Sequence, residues 1–168
     1  MAGKTDFTPE EWTRLAASPM VAAMAITAAD PSGLWGLLKE SMSSGWALME
    51  VKQDTSANPL AKAIADDITD PATRTAARDR LQTLFKGFQV QDIQKKAVEE
   101  LRAVASLVDS KAPGDASGFK TWLQHVAQKA AEAGTEGGFL GFGGVKVSDA
   151  EKATLRDIAT ALGASPPT

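Results

Sequence analysis

Cap residues followed by proline recur along this chain, and each such pair is a start signal for a helix. The pairs are Thr8-Pro9, Ser18-Pro19, Asn58-Pro59 and Asp70-Pro71. Short polar side chains accept hydrogen bonds from the unpaired amides of a first helical turn, and proline fits the first helical position because it has no amide to leave unpaired. Apolar residues at spacings of three and four follow these signals, and only Val145–Val147 has the character of a short extended segment. The pattern predicts an all-α fold.

Composition and length support one domain with a real core. Alanine, the best helix former, supplies 30 of the 168 residues, and 43% of the chain is hydrophobic. We predict a single compact helical domain over residues 1–168, an irregular or orthogonal bundle of seven or eight helices without a sheet. Residues 1–6 and 164–168 are expected to be disordered tails, and residues 134–147 a loop rich in glycine and phenylalanine.

The positions of apolar residues predict the individual helices. Ser18-Pro19 is expected to end a short first helix and to open a second, which is central because residues 20–26 are apolar on every face. Residues 34–52 are predicted to be helical, and Pro113-Gly114 is expected to end one helix before another covers residues 117–133. The predicted buried faces of three amphipathic helices are Ile93, Ala97, Leu101, Val104 and Val108; Phe119, Trp122, Leu123, Val126, Ala127 and Ala130; and Leu155, Ile158, Ala159 and Leu162.

Several classes of function are excluded or disfavoured by what the chain lacks. It has no cysteine, which excludes disulfides, thiolate catalysis, cysteine-bound zinc and iron–sulfur clusters. Its net charge of −3 offers no basic excess for nucleic acid. The longest apolar stretch, residues 18–29, is shorter than the roughly 20 residues of a membrane span. We therefore expect a soluble, cytoplasmic protein that binds no nucleic acid and has no integral membrane segment.

The glycine-rich segment Gly137–Gly144 is the first candidate for a functional element. It presents Phe139, Leu140 and Phe142, which we interpret as contacts for a partner or a hydrophobic ligand on a mobile flap. The alternative is a tight connection whose aromatic side chains plug the end of the bundle. A phosphate loop is excluded, because Lys146 stands between valines with no Ser or Thr after it.

Other chemically capable residues have structural explanations. His125 is the only histidine, and we interpret it as a surface or boundary residue. Asp66, Asp67 and Asp70 are an oxygen-rich cluster of the type that holds calcium or magnesium. The competing explanation is that Asp70 caps a helix and the other two carboxylates are solvated.

Aromatic and charged residues at helical spacing also have structural explanations. The tryptophans Trp12, Trp35, Trp46 and Trp122 are interpreted as core residues rather than as a pocket. The basic cluster of Arg74, Arg78 and Arg80 could suit an anion. The mixed Glu/Lys face of residues 94–102, which includes Glu100, is interpreted as solvated.

Two segments together resemble a known family. Ala25–Asp30, followed by a glycine-containing turn, and Gly144–Glu151, followed by an amphipathic helix, are similar to the two paired elements of TerB-like (tellurite-resistance B) domains. The resemblance implies an all-α, stress-associated or scaffold domain that is not an enzyme. It also implies metal-binding acidic positions. Asp30 and Glu151 fall on those positions and Asp149 lies nearby, while a glycine pair stands where the family has Asp-Gly.

The leading hypothesis is a non-enzymatic helical protein that acts through protein–protein contact as a TerB-like accessory or stress-response scaffold. The partner protein is unknown, and the sequence leaves open whether the chain forms homo-oligomers. No catalytic residue or cofactor is assigned. The alternative is a helical module that binds a small hydrophobic ligand or a divalent cation. An enzyme with a dispersed carboxylate site is the third hypothesis.

Overall fold

A computed structural model of the chain describes residues 2–29, 50–52, 54, 56–136 and 147–163. These ranges contain a 3₁₀ turn at Lys4–Asp6 and six α-helices, and none of their residues is in a strand. The helices are α1 (Pro9–Ala29), α2 (Pro59–Asp67), α3 (Pro71–Phe85), α4 (Val90–Lys111), α5 (Pro113–Glu136) and α6 (Asp149–Leu162). The predicted all-α bundle without a sheet is confirmed for the described residues.

Helix α1 is the centre of the bundle, and it packs against each of the other five helices. Its fully buried residues include Ala16, Ala22 and Ala25, whose single methyl groups let neighbouring helices approach closely. Leu15 and Ile26 are buried at the two ends of this surface. The prediction of a central apolar helix is therefore confirmed. None of the helices in the described part of the chain combines the length and hydropathy that a membrane crossing requires.

The predicted division at Ser18-Pro19 is wrong, because α1 runs through Pro19 without ending. A proline inside a helix cannot donate to the carbonyl four residues earlier, which here belongs to Leu15. The Ser18 hydroxyl donates to that carbonyl instead, at 2.7 Å, and both residues are fully buried. The serine thus supplies the hydrogen bond that the proline cannot, and the helix continues.

The predicted start signals hold for α1, α2, α3 and α6, and the predicted stop signal holds for α6. Thr8 and Glu11 exchange backbone-to-side-chain hydrogen bonds before α1, and Ser148 and Glu151 do so before α6. The caps that accept from first-turn amides of α2 and α3 are Asn58 and Asp70. Gly163 ends α6 in the left-handed conformation, with φ +66°.

The first residues of the chain differ from the expected disordered tail. Residues 4–6 form the 3₁₀ turn, and the Ala2 amide donates to Oδ2 of buried Asp115 at 2.6 Å. The Lys4 ammonium group lies 2.9 Å from Asp67 Oδ2. Contacts with residues far along the chain therefore hold residues 2–6, and a sequence-local argument does not detect such contacts. The second predicted tail, residues 164–168, lies outside the described residues.

Helix α5 begins four residues earlier than predicted and extends to Glu136, so residues 134–136 are helical rather than part of the loop. Pro113-Gly114 was expected to end a helix, and α4 does end just before it, at Lys111; Pro113 also occupies the first position of α5, which was not predicted. Proline is well suited to that position because its missing amide is not needed there. Most of the predicted helix over 34–52 lies outside the described residues, and its last part, residues 50–52, is helical.

The predicted buried faces of α4, α5 and α6 are confirmed, with Ala130 only partly buried. Buried residues from all six helices form one contiguous core. Glu100 is the exception to the predicted solvated face of α4, because it is buried. Its Oε1 accepts from Arg14 Nε of α1 at 2.9 Å and from Arg80 Nη2 of α3 at 2.6 Å. This carboxylate therefore ties three helices together.

Candidate functional site

The residues predicted to contact a partner, Phe139, Leu140 and Phe142, lie outside the described residues. Asp30, the first residue of the predicted metal set, does so as well. These predictions stay as they were made from the sequence.

The structure separates the two remaining residues of the predicted metal set. The Asp149 side chain is fully solvent-exposed, with Oδ1 3.4 Å from Lys152 Nζ. Glu151 is buried, and its Oε2 accepts from the Ser148 amide at 2.8 Å, whereas its Oε1 has no hydrogen-bond partner among the described residues. Over those residues, no three His, Asp or Glu side chains converge in a way that could hold a metal ion.

The acidic cluster near the end of α2 serves the fold. Asp70 caps α3, as expected, and Asp66 is an exposed carboxylate 3.0 Å from Lys52 Nζ. Asp67 differs from the expected solvated residue, because it accepts from Trp12 Nε1 at 2.7 Å and from Thr73 Oγ1 at 2.9 Å. The three carboxylates have different partners and do not form a shared cation site.

The arginines of the predicted basic cluster also have separate partners. Arg74 donates to the carbonyls of Ile68 and Thr69 at the end of α2. Arg80 pairs with Glu100, and exposed Arg78 lies 3.5 Å from Asp79. The cluster therefore does not present a common anion site.

A groove of about 350 Å³ lies between one side of α5 and a wall that includes Glu50, Val51, Asp54, Ala57 and Asn58. Its apolar lining includes Val51, Ala57 and Trp122, and its polar lining includes Glu50 and His125. The remaining lining residues are Asp54, Asn58, Gly118 and Thr121. A pocket of this size falls within the range that accepts small molecules.

Asn58 fixes one wall of this groove against the other. Its Nδ2 donates to the Asp115 carbonyl in the first turn of α5 at 2.9 Å, while its Oδ1 accepts from the Ala61 amide of α2 at 3.1 Å. The close approach depends on Gly118, since a Cβ there would lie 2.6 Å from Asn58 Nδ2. Lys62 adds a further link by donating to the Asp54 carbonyl at 3.2 Å.

Trp122 lines the groove and is 7% exposed. Its ring packs on Phe119, with ring centroids 5.4 Å apart and planes inclined by 56°. The indole Nε1 is buried and has no acceptor among the described residues. Buried indole N–H groups usually find an acceptor, so this donor is unusual. The sequence prediction of a core tryptophan is confirmed, but it did not foresee that the same side chain lines a groove.

Charged and titratable side chains also line the groove. His125 Nε2 and Glu50 Oε2 lie 3.5 Å apart, and both side chains are about half exposed. Asp54 Oδ1 accepts from the hydroxyl and the amide of Ser56, and these hydrogen bonds hold the pKa of Asp54 below its ordinary value. Asp54 is therefore ionised at neutral pH. The surface position predicted for His125 is confirmed, and its neighbour Glu50 was missed because it is 75 residues away in the sequence.

A second surface feature was also missed by the sequence analysis. Phe88, in the turn between α3 and α4, and Val90, the first residue of α4, are 43% and 49% exposed, and they are the large apolar side chains that stand out in solvent among the described residues. Gly87, with φ +82°, shapes this turn, and the Phe88 amide donates to the Phe85 carbonyl at 3.2 Å. The sequence signal that could have identified this surface feature is the pair of apolar residues that flank Gln89.

Comparison with known proteins adds no assignment. No protein-family model, curated protein or solved structure matches this chain. The resemblance to TerB-like domains stays a prediction from the two segments that carry it.

Proposed function

We propose that this protein is a non-enzymatic helical module that acts by binding a partner protein. The observation that carries the proposal is the exposed apolar pair of Phe88, in the turn between α3 and α4, and Val90, at the start of α4. An exposed aromatic side chain keeps apolar surface in contact with water in the unbound protein, which is unfavourable. Aromatic side chains are also frequent among the residues that dominate binding free energies. A partner that offers an apolar pocket would remove both side chains from water.

The surroundings of the pair favour insertion into such a pocket. Leu84 and Phe85 precede the turn and pack against the core, so Phe88 and Val90 project from a supported base. Both helices that meet at the turn are anchored, because Arg80 of α3 and Glu100 of α4 form a partly buried ion pair. A turn held in this way loses little conformational entropy on binding, which favours affinity.

A TerB-like accessory or stress-response role is the more specific form of this proposal. Its support is the sequence resemblance of Ala25–Asp30 and Gly144–Glu151, together with the capping box that Ser148 and Glu151 form before α6. Such a role fits a helical scaffold that presents a docking turn. The divalent-cation alternative has less support, since Asp149 and Glu151 have diverging surroundings.

The test compares partner binding by the parent chain, by Phe88→Ser with Val90→Ser, and by a control with Gln82→Ser and Gln91→Ser. The control residues are exposed polar neighbours on α3 and α4. Partners recovered with the parent chain are purified, and their affinities for all three forms are measured by calorimetry. We expect the Phe88/Val90 variant to bind at least about tenfold more weakly, as for the loss of a central apolar anchor, and the control to bind like the parent.

A purified partner that binds the Phe88/Val90 variant as tightly as the parent would overturn the assignment of this turn. Loss of binding with Phe139→Ser and Phe142→Ser instead would place docking on the glycine-rich segment. Unchanged melting temperatures of the Phe88/Val90 and Phe139/Phe142 double variants would show that binding, rather than folding, has been altered. Failure of the parent chain to bind any protein would contradict the proposal as a whole.

A further inference from the structure

We propose that residues 86–92, the turn after α3 and the first three residues of α4, bind a second copy of this chain about a two-fold axis. These residues are called the docking segment below. The docking segment is the surface that carries the proposed function, so the inference rests on that function and names its partner. Three features support a second copy: the uncovered apolar pair, the opposite charges beside it, and the unused side chain of Gln89.

Apolar surface continues from the end of α3 to the start of α4. Every residue of the docking segment is exposed, including Phe88 and Val90, and the preceding Leu84 and Phe85 are only partly buried. The Phe88 amide donates to the Phe85 carbonyl at 3.2 Å, which holds the turn against the last residue of α3. Neighbouring apolar side chains that stay in water are typical of an interaction surface.

The apolar pair lies between two residues of opposite charge. Lys86 precedes the pair and Asp92 follows it, and neither exposed side chain forms an ion pair within the described part of the chain. A uniformly acidic partner would attract Lys86 and repel Asp92, and a uniformly basic partner would do the reverse. The complementary surface therefore carries one acid and one base beside apolar residues, as the docking segment itself does.

A two-fold axis beside Gln89 matches the docking segment with its own copy. In a two-fold interface, a contact from one residue to another is repeated in the opposite direction. Lys86 then faces the partner's Asp92, and Phe88 faces the partner's Val90. Gln89 is exposed and precedes α4 without using its side chain as a cap, so its amide can donate and accept across the axis.

The charge balance of the docking segment suits self-association of an acidic chain. The net charge of the chain is −3, so two copies repel each other overall. The docking segment, however, carries one positive and one negative side chain, and the two-fold arrangement opposes unlike charges only. Stable complexes bury about 800 Å² per partner, which is more than a short segment offers. We therefore expect a reversible dimer whose population rises with concentration.

Sedimentation velocity of the full chain over a wide concentration range measures this association. We expect a monomer–dimer equilibrium without larger species, because a two-fold interface is closed. Phe88→Ser with Val90→Ser should weaken the dimer at least about tenfold, as for the loss of central apolar anchors. Gln82→Ser, at an exposed polar residue of α3, is the control and should leave the dimer unchanged.

Charge reversal at the two flanking residues tests the two-fold arrangement. Lys86→Glu alone and Asp92→Lys alone each oppose like charges at both contacts, and each should weaken the dimer by about two- to thirtyfold, the range for two exposed ion pairs. An equimolar mixture of the two variants should restore the dimer, because the new acid then faces the new base and the unchanged Asp92 faces the unchanged Lys86. Arg102→Glu and Glu10→Lys, at exposed residues outside the docking segment, are the matched controls.

A parent chain that stays monomeric at every concentration would overturn the proposal. A dimer that Phe88→Ser with Val90→Ser leaves intact would do so as well, and so would a mixture of the charge variants that associates no more tightly than either variant alone. If the parent chain is monomeric but binds another protein through Phe88 and Val90, the second copy is the wrong partner and the proposed function stands. The charge variants change exposed side chains only, so they test the proposal even if the serine variant does not fold.

Discussion

At the scale of single residues, Ser18 makes Pro19 compatible with a continuous helix. The Ser18 hydroxyl donates to the Leu15 carbonyl, which has no amide donor because residue 19 is proline. We expect Ser18→Ala to lower the free energy of unfolding by about 1–3 kcal/mol, since it leaves a buried carbonyl unpaired. Chemical denaturation measures this change. Ser106→Ala is the control, because Ser106 is exposed and its hydroxyl donates to a carbonyl that already has a regular helical partner.

Repeating Ser18→Ala in a Pro19→Ala variant tests whether the Ser18 hydroxyl acts by replacing the missing amide of residue 19. In Pro19→Ala, the new amide of residue 19 is available to the Leu15 carbonyl, so removing the Ser18 hydroxyl should then cost much less. The difference between the two costs is the coupling energy of the double-mutant cycle. Equal costs in both backgrounds would show that Ser18 stabilises α1 in another way.

At the scale of helices, Gly118 sets how closely α5 approaches the start of α2. A Cβ at residue 118 would lie 2.6 Å from Asn58 Nδ2 and 3.1 Å from Asn58 Cβ. Gly118→Ala should therefore displace Asn58, break its bond to the Asp115 carbonyl and weaken the α2 cap. We expect a net loss of about 1–2 kcal/mol, because the lost cap and crowding exceed the gain in helix propensity.

Gly114→Ala in the first turn of the same helix is the matched control. Nothing lies within 4 Å of a Cβ added there. Alanine should raise stability by up to about 1 kcal/mol at this position, so the two substitutions should have opposite signs in the same denaturation assay. A stabilising Gly118→Ala would show that Asn58 accommodates the added methyl group without losing its bonds.

Helix ends were predictable from the sequence where they depend on neighbouring residues. Thr8 with Glu11 and Ser148 with Glu151 are three residues apart, so their capping boxes are local patterns. Pro19 misled the same reasoning, and Pro113 was correctly expected to end α4 but was not expected to begin α5. Proline disrupts a helix only when no other donor replaces its amide, and it favours a helix at the first position. Whether a proline interrupts a helix, lies within it or begins it depended here on a hydroxyl contact and on helix packing. The sequence pattern contains neither.

At the scale of the whole molecule, contacts between distant residues decide which polar groups are buried. Glu100 is 86 residues from Arg14 and 20 from Arg80, and Asp67 is 55 from Trp12. Nothing in the spacing of α4 distinguishes Glu100 from its solvated neighbours. Sequence reasoning could not find the groove for the same reason, because Glu50 and Trp122 are 72 residues apart and line one groove only in the folded chain.

Asp67 connects the chain start, α1 and α3 through Lys4, Trp12 and Thr73. Partial burial raises its pKa, but the hydrogen bonds from those three residues outweigh burial and leave the pKa below its ordinary value of 3.8. Because the folded pKa is lowered, the carboxylate stabilises the fold above pH 4. That stabilisation is lost as the pH falls from about 4 through the folded pKa.

We therefore expect Asp67→Asn to cost about 1–3 kcal/mol at pH 7, as for the loss of hydrogen bonds to a charged group. The difference from the parent should shrink as the pH falls below about 4, because the parent then protonates Asp67 and loses the same charge. Melting temperatures of both proteins between neutral and acidic pH measure this convergence. Asp66→Asn is the adjacent control, since its exposed ion pair with Lys52 contributes at most about 1 kcal/mol. Parallel pH profiles for the parent and Asp67→Asn would mean that Asp67 acts through its shape and packing rather than through its charge.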